Sequence, residues 1–129
     1  MRNYLVAFIL LCMSFSACEK DDICIIDTTP NLVIVFKDKD ATDDKKSVSQ
    51  LTVWAYEKDS IIVQQSTDSI AIPLDLNNDL TTYYFANSNS TDEFTFEYTR
   101  TDEFVSRSCG YKTLFSNLTV VKPTNNWIT

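Results

Sequence analysis

The chain of 129 residues contains no histidine and a single glycine, Gly110. Without imidazole it lacks the usual general base at neutral pH, the His-dependent catalytic triads and the commonest zinc ligand. With one glycine, no phosphate-cradling loop, dinucleotide fingerprint or G-x-S-x-G nucleophile turn can be written anywhere along it. Basic residues are also scarce: eleven Lys and Arg stand against eighteen Asp and Glu, a formal net charge of −7. That sign excludes a nucleic-acid partner, because a phosphate backbone needs a Lys/Arg surface. No cofactor motif is present. What remains is β patterning, a handful of cysteines and one apolar run at the N-terminus.

Arg2 gives that run a positive flank, and Tyr4 to Ser16 is nearly uncharged. Thirteen residues would span only about 20 Å as a helix, short of the roughly 30 Å hydrocarbon core, so residues 1–17 read as a signal peptide and not as a membrane span. Ser16-Ala17-Cys18 resembles a bacterial lipobox, in which the signal is cut before the cysteine and that cysteine carries the lipid; Phe15 stands where Leu is usual. The alternative is an ordinary secreted protein with Cys18 in a disulfide. Lys20, Asp21 and Asp22 resemble the surface-export signal of Bacteroidota lipoproteins, with a solvated spacer as the plainer reading. The expected location is the outer membrane, lipid-anchored and exposed at the cell surface, with residues 18–29 as tether.

Removing 17 of the 129 residues would leave 112, with ten basic and eighteen acidic side chains. Cys12 departs with the signal and Cys18 takes the lipid, which leaves Cys24 and Cys109. An even pair in an oxidising compartment predicts a disulfide. A catalytic thiol at Cys109 would need a base to form thiolate, and no histidine exists to supply it.

Period-two patterning dominates from Asn31 onward: Phe94, Phe96 and Tyr98 alternate with Thr95, Glu97 and Thr99, the mark of a strand with one wet face. Other strands are expected at Leu32–Phe36, Ser49–Glu57, Ser60–Gln65, Ser69–Leu74, Thr81–Asn87, Glu103–Ser108 and Tyr111–Val121, the last broken near Asn117. Leu32–Phe36 is apolar on both faces and is expected inside a sheet. Lys58-Asp59, Thr67-Asp68 and Thr101-Asp102 read as hairpin turns. About eight short strands predict an all-β, antiparallel β-sandwich of immunoglobulin-like type over residues 30–122, with a small β-barrel as the alternative. Residues 123–129 read as a tail that need not be ordered.

Several segments together resemble a family of uncharacterised Bacteroidota outer-membrane lipoproteins, a domain of unknown function. They are Cys24 followed by Asp27-Thr28-Thr29-Pro30, the Leu51-x-Val53-x-Ala55-Tyr56 strand, Ile72-Pro73-Leu74, and Ser106-Arg107-Ser108-Cys109-Gly110-Tyr111. The resemblance implies no catalytic residue.

Trp54 and Tyr56 fall on the strand face opposite Leu51, Val53 and Ala55, so they are candidate ligand contacts, as an aromatic strip or else as core; Trp127 is a second candidate anchor. Thr28, Ser60 and Ser69 each follow an Asp in triplets that resemble the Bacteroidota O-glycosylation signal, although Asp and Ser also serve turns. Asp38, Asp40, Asp43 and Asp44 lack the EF-hand register and are nearly neutralised by Lys37, Lys39, Lys45 and Lys46, so a solvated loop and not a metal site is expected. No pair of carboxylates stands out as a hydrolase would require. The expectation is a non-catalytic envelope module, without cofactor, that is tethered to the membrane and meets an envelope protein or a glycan.

Overall fold

A computed structural model describes residues 23–25, 29–121 and 124–129. Among the described residues there is no helix. Seven strands follow in order: β1 (Leu32–Val35), β2 (Val48–Ala55), β3 (Ser60–Thr67), β4 (Ser69–Ile72), β5 (Leu80–Ala86), β6 (Thr91–Ser106) and β7 (Gly110–Val120). All pairings are antiparallel, in a two-stranded sheet β1-β4 and a five-stranded sheet ordered β3-β2-β5-β6-β7. Neither sheet closes on itself, so the architecture is a sandwich and not a barrel.

Alternation decides what is buried. Leu51 and Val53 of β2, Tyr83 and Phe85 of β5, and Phe96 and Tyr98 of β6 point inward from the large sheet and are buried. Ile70 and Ile72 of β4 are buried against them, with Leu32 and Ile34 of β1 half-buried, and Phe36 and Leu74 join the same cluster. Each such side chain contributes about 1.5–3 kcal/mol when fully removed from water.

The structure departs from the sequence reading at five places. β1 does not lie inside a sheet: it pairs only with β4, and its outward residues Val33 and Val35 are 63% and 40% exposed. Thr67-Asp68 is not a hairpin but the step between sheets, fixed by the Thr67 hydroxyl donating to the Ser69 carbonyl at 2.6 Å. Thr101-Asp102 is not a turn either. The two segments on either side of it form one strand, β6, held extended there by the Thr113 hydroxyl donating to Asp102 at 2.7 Å across the ladder. The strand count among the described residues is therefore seven.

The fourth departure is the C-terminal segment, which is docked. Asp92, at the start of β6, is completely buried on the inner face. One carboxylate oxygen accepts from the Asn126 N–H at 2.6 Å and the Thr124 hydroxyl at 2.8 Å; the other accepts from the N–H groups of Trp127 and Ile128, both at 2.8 Å. A buried carboxylate is tolerated only when its lone pairs are taken up in this way. Trp127 is thereby laid against Phe36, ring centroids 6.0 Å apart, and its indole N–H donates to the Phe85 carbonyl at 3.0 Å. Trp127 covers the core and is not a free anchor.

The β6–β7 hairpin turns through Arg107–Cys109 into Gly110, whose φ is +70°. A Cβ there would meet nothing within 4 Å, so glycine is required by the left-handed backbone alone and not by crowding. Beside it, Cys109 is bonded to Cys24, with Cα atoms 4.9 Å apart. The last strand is not broken near Asn117: β7 runs through it, with Asn117 at φ 53° in a register shift of the β6–β7 ladder, a bulge in place of the expected break.

Candidate functional site

Because Leu51 and Val53 are buried, Trp54 and Tyr56 must lie on the outer face of the large sheet, and they do. Strand register arranges that face as a grid. Tyr56 bonds through its N–H to the Thr82 carbonyl at 3.0 Å, and Thr82 pairs with Thr95; Trp54 pairs with Tyr84, and Tyr84 with Glu93; Thr52 pairs with Ala86, and Ala86 with Thr91. The rings of Trp54 and Tyr84 stack with centroids 5.4 Å apart and planes at 17°. Tyr56 is 60% exposed beside them. On β3, Ile61 and Val63 alternate with the inward Ile62 and are also exposed, so the aromatic pair is continued by aliphatic side chains toward the sheet edge.

The chemistry of this face is that of recognition. The Tyr84 hydroxyl is held above its ordinary value by partial burial first, then by the charge and hydrogen bond of Glu93, and then by Tyr56, so it stays a neutral donor. The Thr82 and Thr95 hydroxyls bond to each other at 2.8 Å. Flat ring faces bordered by a carboxylate and hydroxyls can stack on an apolar surface while satisfying polar groups at its edge.

An open hollow of about 500 Å³ adjoins Tyr56 and is lined by Pro73, Asp75, Thr81 and Tyr83 among others. Tyr83 there, and Tyr98 behind it, are structural. The Tyr83 hydroxyl donates to the Pro73 carbonyl at 2.6 Å, and its pKa is pushed up to about 12 by burial first and then by Tyr98. Tyr98 donates to the Asp75 carbonyl at 3.0 Å and shares a 2.6 Å bond with Thr81. A broader groove of about 960 Å³ has Phe36, Phe94 and Trp127 in its lining and marks where the tail meets the sandwich.

The remaining sequence candidates are dispersed. Cys18, Lys20, Asp21, Asp22 and Thr28 lie outside the described residues. Ser60 is exposed at the start of β3, paired with Trp54, whereas Ser69 is half-buried and its hydroxyl donates to Asp68 at 2.8 Å. In the acidic loop, Lys46 meets Asp38 at 2.8 Å, and the Asp40 N–H donates to the same carboxylate at 3.0 Å. Among the described residues, no group of three or more His, Cys, Asp or Glu could hold a metal ion. Sequence reasoning missed Tyr84; the signal was available, since Tyr83 and Phe85 pointing inward turns Tyr84 outward to meet Trp54.

A family profile matches residues 50–129, from within β2 to the docked C-terminal segment. The chain belongs to DUF6452, a family of unknown function. The matched region holds the outer aromatic face, Asp92 with its tail and Cys109, whereas Cys24 lies before it. No curated protein and no solved structure matches the chain.

Proposed function

We propose that this DUF6452 member is a non-catalytic cell-envelope lipoprotein of the Bacteroidota, anchored through Cys18 at the outer membrane, exposed at the cell surface, and offering its outer sheet face to an envelope protein. The observation that carries the binding role is the Trp54–Tyr84 stack, which faces outward with Tyr56, Ile61 and Val63 around it. An outward aromatic cluster costs solubility, and a partner surface is the common reason for one. The anchoring part rests on Ser16-Ala17-Cys18 and on the charged tether that follows. Cys18→Ala should move the protein from the membrane fraction to the soluble fraction while the fold is retained. A variant that stays with the membrane under high-salt washing contradicts anchoring at Cys18.

A second reading is a surface glycan-binding module. The near-parallel rings, 17° apart, and the flanking Glu93, Thr82 and Thr95 favour it, because a sugar presents an apolar C–H face and an equatorial ring of hydroxyls. On a glycan array, this reading expects saturable binding of a defined sugar and a change in tryptophan emission, with affinity falling by about tenfold or more in Trp54→Ala. Absence of sugar binding, with a protein crosslink from the Trp54 face that Trp54→Ala abolishes, favours the first reading.

A further inference from the structure

β6 pairs with β5 only from Thr91 to Glu97, but with β7 from Phe96 to Ser106. Past Tyr98 the β6–β7 hairpin therefore has no further strand beside it among the described residues and runs on for eight β6 residues, roughly 26 Å at strand rise. Its base is braced by Arg100, which bonds Asp79 at 2.7 Å and the Leu76 carbonyl. Its far end carries apolar side chains in water. Phe104 and Tyr111 pair in register, touch edge to face at 5.4 Å, and are 56% and 70% exposed. Ile23 and Ile25, which flank Cys24, are 78% and 90% exposed. The disulfide places each of these isoleucines on the order of 9 Å or less from Cys109.

We propose that this tip is a membrane-contacting surface whose apolar side chains rest in the headgroup region of a phospholipid bilayer; the inference rests on the Cys18 anchoring proposed above. Chain length selects this occupant. Six peptide steps separate Cys18 from Cys24, a reach of at most about 20 Å. Were the arm to point away from the bilayer, Cys24 would stand at least the arm's length above it, beyond that reach. The tip therefore faces the lipid and the sandwich stands off it. Charge is compatible. The protein is acidic, yet from Val105 to Tyr111 the only charged residue is the cation Arg107, which suits an anionic headgroup. Tyrosine and phenylalanine suit the bilayer interface, where one end of the ring is apolar and the other wet.

The test uses the full-length lipidated protein carrying Tyr111→Trp, purified from membranes and reconstituted in phosphatidylethanolamine–phosphatidylglycerol vesicles with brominated acyl chains. Trp54 and Trp127 act as internal references, since they sit against Tyr84 and Phe85, whose β6 partners Glu93 and Asp92 lie more than ten residues along the strand from Phe104. The indole introduced at position 111 should lose about half its emission to bromolipid, while wild-type emission changes little. Phe104→Trp, on the facing strand, should repeat the result. Protein that floats with the vesicles but shows no quenching at either position keeps its anchor and overturns the membrane-facing tip. Protein that does not float overturns the anchoring and the inference together. A crosslink from position 111 to an envelope protein, with quenching absent, assigns the tip to a protein and overturns it as well.

Discussion

Asp92→Ala should destabilise the fold by about 3–4 kcal/mol, a large part of the 5–15 kcal/mol a domain of this size holds. The substitution removes the acceptor for three backbone N–H groups and the Thr124 hydroxyl at once. Bonds to an ionised group are worth roughly 1.5–3 kcal/mol each, but they are not additive here, because the tail can undock and return its donors to water. The ceiling is therefore the value of docking the tail, including the Trp127 contact with Phe36. Asp92→Asn should lie between, since an amide offers one acceptor oxygen where two are used. Urea unfolding, followed by tryptophan emission, reads both variants; an unchanged midpoint in Asp92→Ala would contradict this account of the tail.

The same carboxylate predicts a pH dependence. Burial by itself raises the Asp92 pKa, but the N–H groups of Ile128, Asn126 and Trp127 and the Thr124 hydroxyl outweigh it and hold the group below its ordinary value. A folded pKa below the unfolded one means that the contribution is complete above the unfolded value of about 3.9 and is lost as pH falls through the folded one. Tail undocking should thus begin only below about pH 4, as a red shift of Trp127 emission. Asp38, held low first by its bond from Lys46, and Asp75, held low first by Asn78, titrate in the same direction; Asp38 lines the same groove as Trp127, so Asp38→Asn is the control for the emission shift.

Reducing the Cys24–Cys109 bond should lower stability by about 2–3 kcal/mol and the melting temperature by about 10 °C. With a sequence separation of 85, the chain-entropy treatment gives an upper figure near 4.5 kcal/mol. The smaller value is expected because Cys24 lies outside the strands, so the reduced native state gains chain entropy as well as the unfolded one. Most of the loss should be felt in the arm. A two-stranded hairpin is marginal in isolation, and Glu103–Lys112 at 3.4 Å is a weak exposed pair. In the reduced protein, amides from Phe104 to Tyr111 should lose hydrogen-exchange protection while those of β2 and β5 keep theirs. Equal loss of protection throughout would mean that the bond supports the sandwich itself.

Much of this was legible in the residues. Alternation alone places Leu51 and Val53 inside and Trp54 outside, and the even pair left once Cys12 and Cys18 are assigned to the expected signal and anchor is the Cys24–Cys109 bond that the structure shows. What escaped is physical in origin. Thr67-Asp68 has the same local chemistry whether the chain folds back in one sheet or crosses to another, so only tertiary packing decides. Thr101-Asp102 carries turn formers, yet the cross-strand bond to Thr113 keeps it extended. Asp92 resembles any polar residue at a strand start; its four partners lie 32 to 36 residues further along the chain, where no local pattern announces them. The residues alone do not say why the one glycine stands at Gly110; its neighbourhood is open and only its φ demands glycine.

The proposed lipid anchor at Cys18 underlies the proposed placement of the protein and the proposed orientation of its arm. Intact-mass analysis of the protein purified from native envelopes tests it most directly. The account predicts a chain that begins at Cys18 and carries the added mass of a diacylglyceryl thioether and an N-acyl group. A chain that begins elsewhere, or one with Cys18 unmodified, would contradict it.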